Sequence, residues 1–171
     1  CSSDLLRLDA MRDYNNKIFN ETQIDFIDYR SSNICNFKCR SCNPTFSHGI
    51  AQETNSNAIL QKYHSVTADK KAVSIDDEDQ QWILQNLHSI QRLMLTGGEP
   101  TMIPGLKDIV NTIVEKYSDQ ISLMITTNAS FKDEFWKKVT KKLSTLHWTV
   151  SIDAVGPLAE IVRYGTHWPT V

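Results

Sequence analysis

The sequence predicts an α/β protein built from parallel βαβ units, with about four strands. Two observations predict it. Short apolar runs of strand length alternate with longer stretches whose apolar residues recur at three- and four-residue steps. The chain's unusual residues fall directly after the apolar runs, at the strand ends where ligands of parallel α/β sheets collect.

The first stretch, "DLLRLDAMRDYNNKIF", carries Leu5, Leu8, Met11, Tyr14 and Ile18 at helical spacing and reads as an N-terminal helical segment over 1–23. The core is expected over 24–171. It opens with the strand "QIDFIDYR", and a cysteine loop follows at once. Pro44 suits the first turn of a helix running into "FSHGIAQE". The polar stretch "TNSNAILQKYHSVTADKKAVS" reads as loop with some helix. "SIDDEDQQWILQNLHSI" has Ser74 and acids fit for a helix N-terminus, then Trp82, Ile83 and Leu87.

"IQRLMLT" is a strand. "GLKDIVNTIVEKY" puts Leu106, Ile109, Val110, Ile113, Val114 and Tyr117 on one stripe. "ISLMITT" is a nearly continuous apolar run of the kind buried on both faces. "SFKDEFWKKVTKKL" is a helix with Ser130 and Asp133 as a capping pair. "LHWTVSI" is the last strand, in which His147 and Trp148 read as core.

Bulk properties exclude several function classes. The 171 residues suit one domain, and a net charge of -2 gives no electrostatic footprint for nucleic acid. No apolar run approaches the ~18 residues of a membrane-spanning helix. Three of the four cysteines lie within "CNFKCRSC", too close together to staple distant segments, so the cluster points to metal or redox chemistry in a reducing cytoplasm.

Cys35, Cys39 and Cys42 form a C-x3-C-x2-C pattern that lets three thiolates converge from one loop. An ordinary iron–sulfur cluster takes four cysteines and a structural zinc four ligands. Three thiolates on a cubane would leave one iron open. Zinc with His48 or Cys1 as fourth ligand, or free thiols, fit the spacing as well. In "LTGGEP", Gly97 and Gly98 permit positive φ and close backbone approach, and Glu99 is a carboxylate suited to an ammonium. Asn128, Ser151 and Asp153 follow strands and can hydrogen-bond a polar ligand, or serve as caps and turns. Arg163 is a candidate carboxylate partner or, equally, a surface residue.

"CNFKCRSC" after the first strand and "GGEP" after the second resemble the radical S-adenosylmethionine (radical SAM) superfamily. "TTNAS" after the third and "SIDAVG" after the fourth extend the likeness, and "SIDAVGPLAEIVRYGTHW" is similar to its twitch-domain subgroup. The resemblance covers residues 24 to 168. It implies part of a (β/α)6 barrel, and an enzyme that binds a 4Fe–4S cluster through Cys35, Cys39 and Cys42. It implies S-adenosylmethionine on the fourth iron, with Gly97, Gly98 and Glu99 receiving the methionine ammonium. Ser151 and Asp153 then fall at the ribose, Asn128 near the same pocket, Arg163 at the methionine carboxylate, and Phe37 over the cluster.

The implied reaction is reductive cleavage to a 5′-deoxyadenosyl radical that abstracts hydrogen from a small-molecule or peptide substrate. A donor such as flavodoxin or ferredoxin would supply the electron. Ser41 departs from the family, which often has an aromatic residue before the last cysteine. With four strands in place of six, the resemblance implies a truncated core or one completed by a partner. The competing class is a non-catalytic zinc or iron–sulfur binding protein on a βα scaffold.

Overall fold

The computed structural model describes residues 23–63, 77–139, 141–143 and 145–170. The N-terminal helical segment, Cys1, His64 and the Ser74 cap lie outside these residues.

Four strands form one sheet: β1 (Ile24–Arg30), β3 (Ile90–Thr96), β4 (Ser122–Thr127) and β5 (Leu146–Val150), adjacent in that order. All three pairings are parallel, with Ile24 opposite Ile90, Arg92 opposite Ser122, and Leu123 opposite Leu146. Parallel neighbours need crossovers, and helices supply them. They are α3 (Asp77–Asn86), α4 (Pro104–Lys116) and α5 (Glu134–Val139). Two shorter helices, α1 (His48–Ser56) and α2 (Ala58–Tyr63), follow the cysteine loop, and α6 (Pro157–Val162) follows the last sheet strand. A ribbon of two-residue strands, β2 (Lys38–Cys39) and antiparallel β6 (Arg163–Tyr164), stands apart from the sheet.

The core lies between the sheet and the crossover helices. Leu93 and Leu95 of β3, Leu123 and Ile125 of β4, Ile83 of α3 and Trp136 of α5 belong to one buried cluster. Helix α4 adds Leu106, Ile109, Val110 and Ile113, the inner part of its predicted stripe; Val114 and Tyr117 pack at the margin. Burying each such side chain contributes about 1.5–3 kcal/mol. This packing holds the strand ends level, and so fixes where the loops emerge.

The structure differs from the sequence reading at several points. Strand β4 alternates between fully and partly buried positions rather than being buried on both faces. His147 is exposed, whereas Trp148, on the opposite face of β5, stacks on Phe131 at 5.3 Å. Pro44 does not begin a helix: Asn43 folds residues 43–47 into a turn, its Oδ1 accepting from the Thr45 N–H at 2.9 Å. Ser47 then caps α1, accepting from the Ile50 N–H. Asp133 caps α5 by accepting from the Phe135 N–H at 2.9 Å, without Ser130. Strand β5 ends at Val150, which frees Ser151 for the loop.

Candidate cofactor site

The cysteine loop leaves the carboxyl end of β1 and is fastened on four sides. Its stem lies along the turn after β3, where the Gly98 N–H donates to Ser32 O and the Glu99 N–H to Ile34 O, both at 2.7 Å. A Cβ on Gly98 would stand 2.1 Å from Ile34 O, and one on Gly97, at φ +118°, 2.5 Å from Ser32 O. The paired glycines therefore permit a close approach of backbone to backbone, joining the GGE turn to the loop stem.

On the second side, the His48 N–H donates to Asn33 O at 2.8 Å and the Ser47 hydroxyl to Phe37 O at 3.3 Å. On the third, the β2–β6 ribbon pairs Cys39 with Arg163, and the Arg40 N–H donates to Val162 O at 2.7 Å. Gly165, at φ +107°, turns so closely beneath the loop that a Cβ would stand 2.9 Å from Asn36 O. On the fourth, Asn128 Nδ2 donates to Asn36 Oδ1 at 2.9 Å and lies 3.9 Å from Cys35 Sγ. Asn36 Nδ2 donates to the Ser130 hydroxyl at 2.8 Å, so Ser130 belongs to the site rather than to a helix cap.

Glu99 is 1% exposed. Its Oε1 accepts from the Thr101 N–H at 3.2 Å, the Thr101 hydroxyl at 2.5 Å and the Thr127 hydroxyl at 2.6 Å; Oε2 accepts from the Asn128 N–H at 2.7 Å. A buried carboxylate requires such partners. These bonds tie the ends of β3 and β4 together. Asn128, Ser151 and Arg163 meet at one small cavity, about 10 Å³, shared with Thr166 and Trp168.

Arg163, 8% exposed, makes an ion pair through Nη1 with Asp153 Oδ2 at 2.8 Å, and its guanidinium carbon lies 5.7 Å from the centre of the Phe37 ring. Ser41 donates to the same Asp153 oxygen at 3.3 Å. Burial pushes all three thiols up, Cys39 to about 11, while the Arg163 charge opposes the shift at each.

By donor chemistry, three free cysteine thiols on one loop suit iron–sulfur ligation. Among the described residues, no three His, Cys, Asp or Glu side chains gather as one metal ion requires. His48, considered above as a zinc ligand, has Nε2 2.8 Å from Gln52 Nε2. Because thiols bind metal as thiolates, loading this loop would release protons.

Several partners have no role assigned from the sequence: Thr101, Thr127, Asn36, Ser47 and Gly165. Their neighbours are remote in the chain, and only the "YG" at 164–165 carried a turn signal.

Fold and site together define an α/β protein with a thiol-bearing cofactor loop at the carboxyl edge of a parallel sheet. The sequence profile of the Radical SAM superfamily matches residues 29–170, and the chain belongs to that enzyme superfamily. It is 26% identical over 137 residues to the GTP 3′,8-cyclase of Nautilia profundicola, covering 80% of this chain and 37% of that protein. To the GTP 3′,8-cyclase of Campylobacter fetus subsp. fetus it is 24% identical, covering 74% and 36%. The chain thus spans little more than a third of these relatives' length. Streptococcus suis SuiB bound to precursor peptide SuiA shares the fold, with a TM-score of 0.53 and 16% identity over 82% of this chain and 27% of that one.

Proposed function

We propose that residues 24–171 are the cofactor-binding core of a radical SAM enzyme working in the cytoplasm. The carrying observation is that the loop bearing Cys35, Cys39 and Cys42 is hydrogen-bonded through its stem to the GGE turn, in a chain of this superfamily. In this reading Cys35, Cys39 and Cys42 would hold a 4Fe–4S cluster that leaves one iron open to S-adenosylmethionine. When bound and reduced, the cluster and S-adenosylmethionine would supply the radical chemistry that abstracts hydrogen from the substrate.

The chain's own residues bind, orient and exclude water. Among the described residues Glu99 Oε2 accepts from Asn128 alone, which leaves a lone pair for the methionine ammonium beside Gly97 and Gly98. Asp153 uses one oxygen for Arg163 and Ser41, leaving Oδ1 for a ribose hydroxyl with Ser151 and Asn128 nearby. Arg163 is the partner for the methionine carboxylate. Buried Phe37 keeps water from the cysteine loop.

The substrate is a small molecule or a peptide: the cyclase relatives are named for GTP, and the structural neighbour holds a precursor peptide. A flavodoxin or ferredoxin would donate the electron. Among the described residues no helix is long and apolar enough to cross a membrane. Anaerobic reconstitution with iron and sulfide should give a brown protein with about four irons per chain. It should release 5′-deoxyadenosine on reduction with S-adenosylmethionine, and Cys39→Ala should abolish both. A colourless protein, or one binding a single zinc without sulfide, would sink the proposal.

A further inference from the structure

Arg163 and Asp153 are bound to each other and to the cysteine loop at once. The ribbon sets Arg163 opposite Cys39, and its guanidinium lies over Phe37 within the same loop. Asp153 Oδ2 accepts from both Arg163 Nη1 and the hydroxyl of Ser41, the residue just before Cys42. The arginine side chain is 9% exposed and the aspartate 31%, so solvent screens the negative end more than the positive end. The buried positive end of the pair thus lies beside the cysteine loop, and the more exposed negative end is the better screened.

We propose that Arg163 is a positioning residue for electron uptake. Its buried charge, held against the loop by Asp153 and Ser41, raises the potential at which a cluster on Cys35, Cys39 and Cys42 is reduced. The inference rests on the cluster reading above and goes beyond it, since it needs no bound S-adenosylmethionine. The step is the transfer of one electron from a one-electron donor to the cluster; the donor is oxidised, the cluster reduced, and no bond is made or broken. Reduction adds a negative charge at the cluster, and a nearby buried cation stabilises that state more than the oxidised one. Ser41, at a position often aromatic in the family, supplies here the hydroxyl that fixes the carboxylate.

The test is an anaerobic redox titration of the reconstituted full chain, followed by electron paramagnetic resonance, with S-adenosylmethionine left out. Arg163→Gln should lower the midpoint potential, Asp153→Asn should raise it, and Arg163→Lys should recover part of the Arg163→Gln loss. A purely structural role would move Arg163→Gln and Asp153→Asn in the same direction, or neither, and either result overturns the inference. If Arg163→Gln does not retain iron, Asp153→Asn decides alone: an unchanged or lowered potential overturns it. Failure of the unaltered chain to hold a cluster would instead overturn the reading on which the inference rests.

Discussion

Replacing Gly98 with alanine would drive a methyl group into the stem of the cysteine loop. The new Cβ would lie 2.1 Å from Ile34 O, 2.6 Å from Ile34 C and 2.8 Å from Asn33 C, where ordinary contact begins at 3.4 Å. All three neighbours are backbone and cannot swing aside, so the turn must retreat by more than an ångström. That movement breaks the two 2.7 Å bonds from Gly98 and Glu99 to Ser32 and Ile34. Each lost bond costs about 1 kcal/mol net, and overpacking adds about 1–3 kcal/mol. The sum, about 3–5 kcal/mol, is a large part of the stability of an ordinary domain and corresponds to a melting temperature lower by roughly 10 °C. Gly105→Ala is the control. Its Cβ would meet Gln80 Oε1 at 2.3 Å, but that atom ends a flexible side chain, and alanine favours the helix by about 1 kcal/mol. Thermal unfolding of the metal-free protein should show a large loss for Gly98→Ala and none for Gly105→Ala. Equal losses in the two, or a Gly98→Ala protein melting within about 2 °C of the unaltered chain, would refute the backbone-approach argument.

Glu99→Gln sets an amide N–H2 against donors that now face carboxylate oxygens, and should cost about 2–3 kcal/mol in urea unfolding of the metal-free protein. A ligand-binding role alone would leave that value unchanged. With its thiol pushed up to about 11, Cys39 should react with iodoacetamide about a hundredfold more slowly at pH 8 than an ordinary thiol, speeding tenfold per pH unit above that. Mass spectrometry of the labelled metal-free protein checks this, and a rate plateau near pH 9 would contradict it. The sign for stability follows: the fold favours the neutral thiol, so this contribution is complete below the ordinary thiol value and fades as pH climbs through about 11.

All four sheet strands were legible because each is an apolar run of ordinary length bounded by polar or turn residues, as in "IQRLMLT". Helix α4 was legible from its stripe. The β2–β6 ribbon was not, since two-residue strands have no periodicity and their pairing joins ends of the chain that no local signal connects. The glycines of "LTGGEP" announced a close approach, but not that the approaching group is the chain's own backbone. Glu99 was read as a carboxylate at the sheet's mouth. Its burial depends on Thr101, Thr127 and Asn128, whose roles appear only once β3 and β4 lie side by side. Ser41 stood out as a departure from the family, and its bond to Asp153 gives that departure a physical function.

The ribbon between Cys39 and Arg163 also bears on how the protein comes together. Two pairs of residues close a loop spanning most of the chain, and closing so long a loop costs entropy that a few backbone bonds scarcely offset. The ribbon thus depends on the sheet already being in place, with the buried Arg163 and Phe37 adding to its few backbone bonds. The cysteine loop is anchored at its stem by the sheet and completed at its tip by a contact that can form only late in folding.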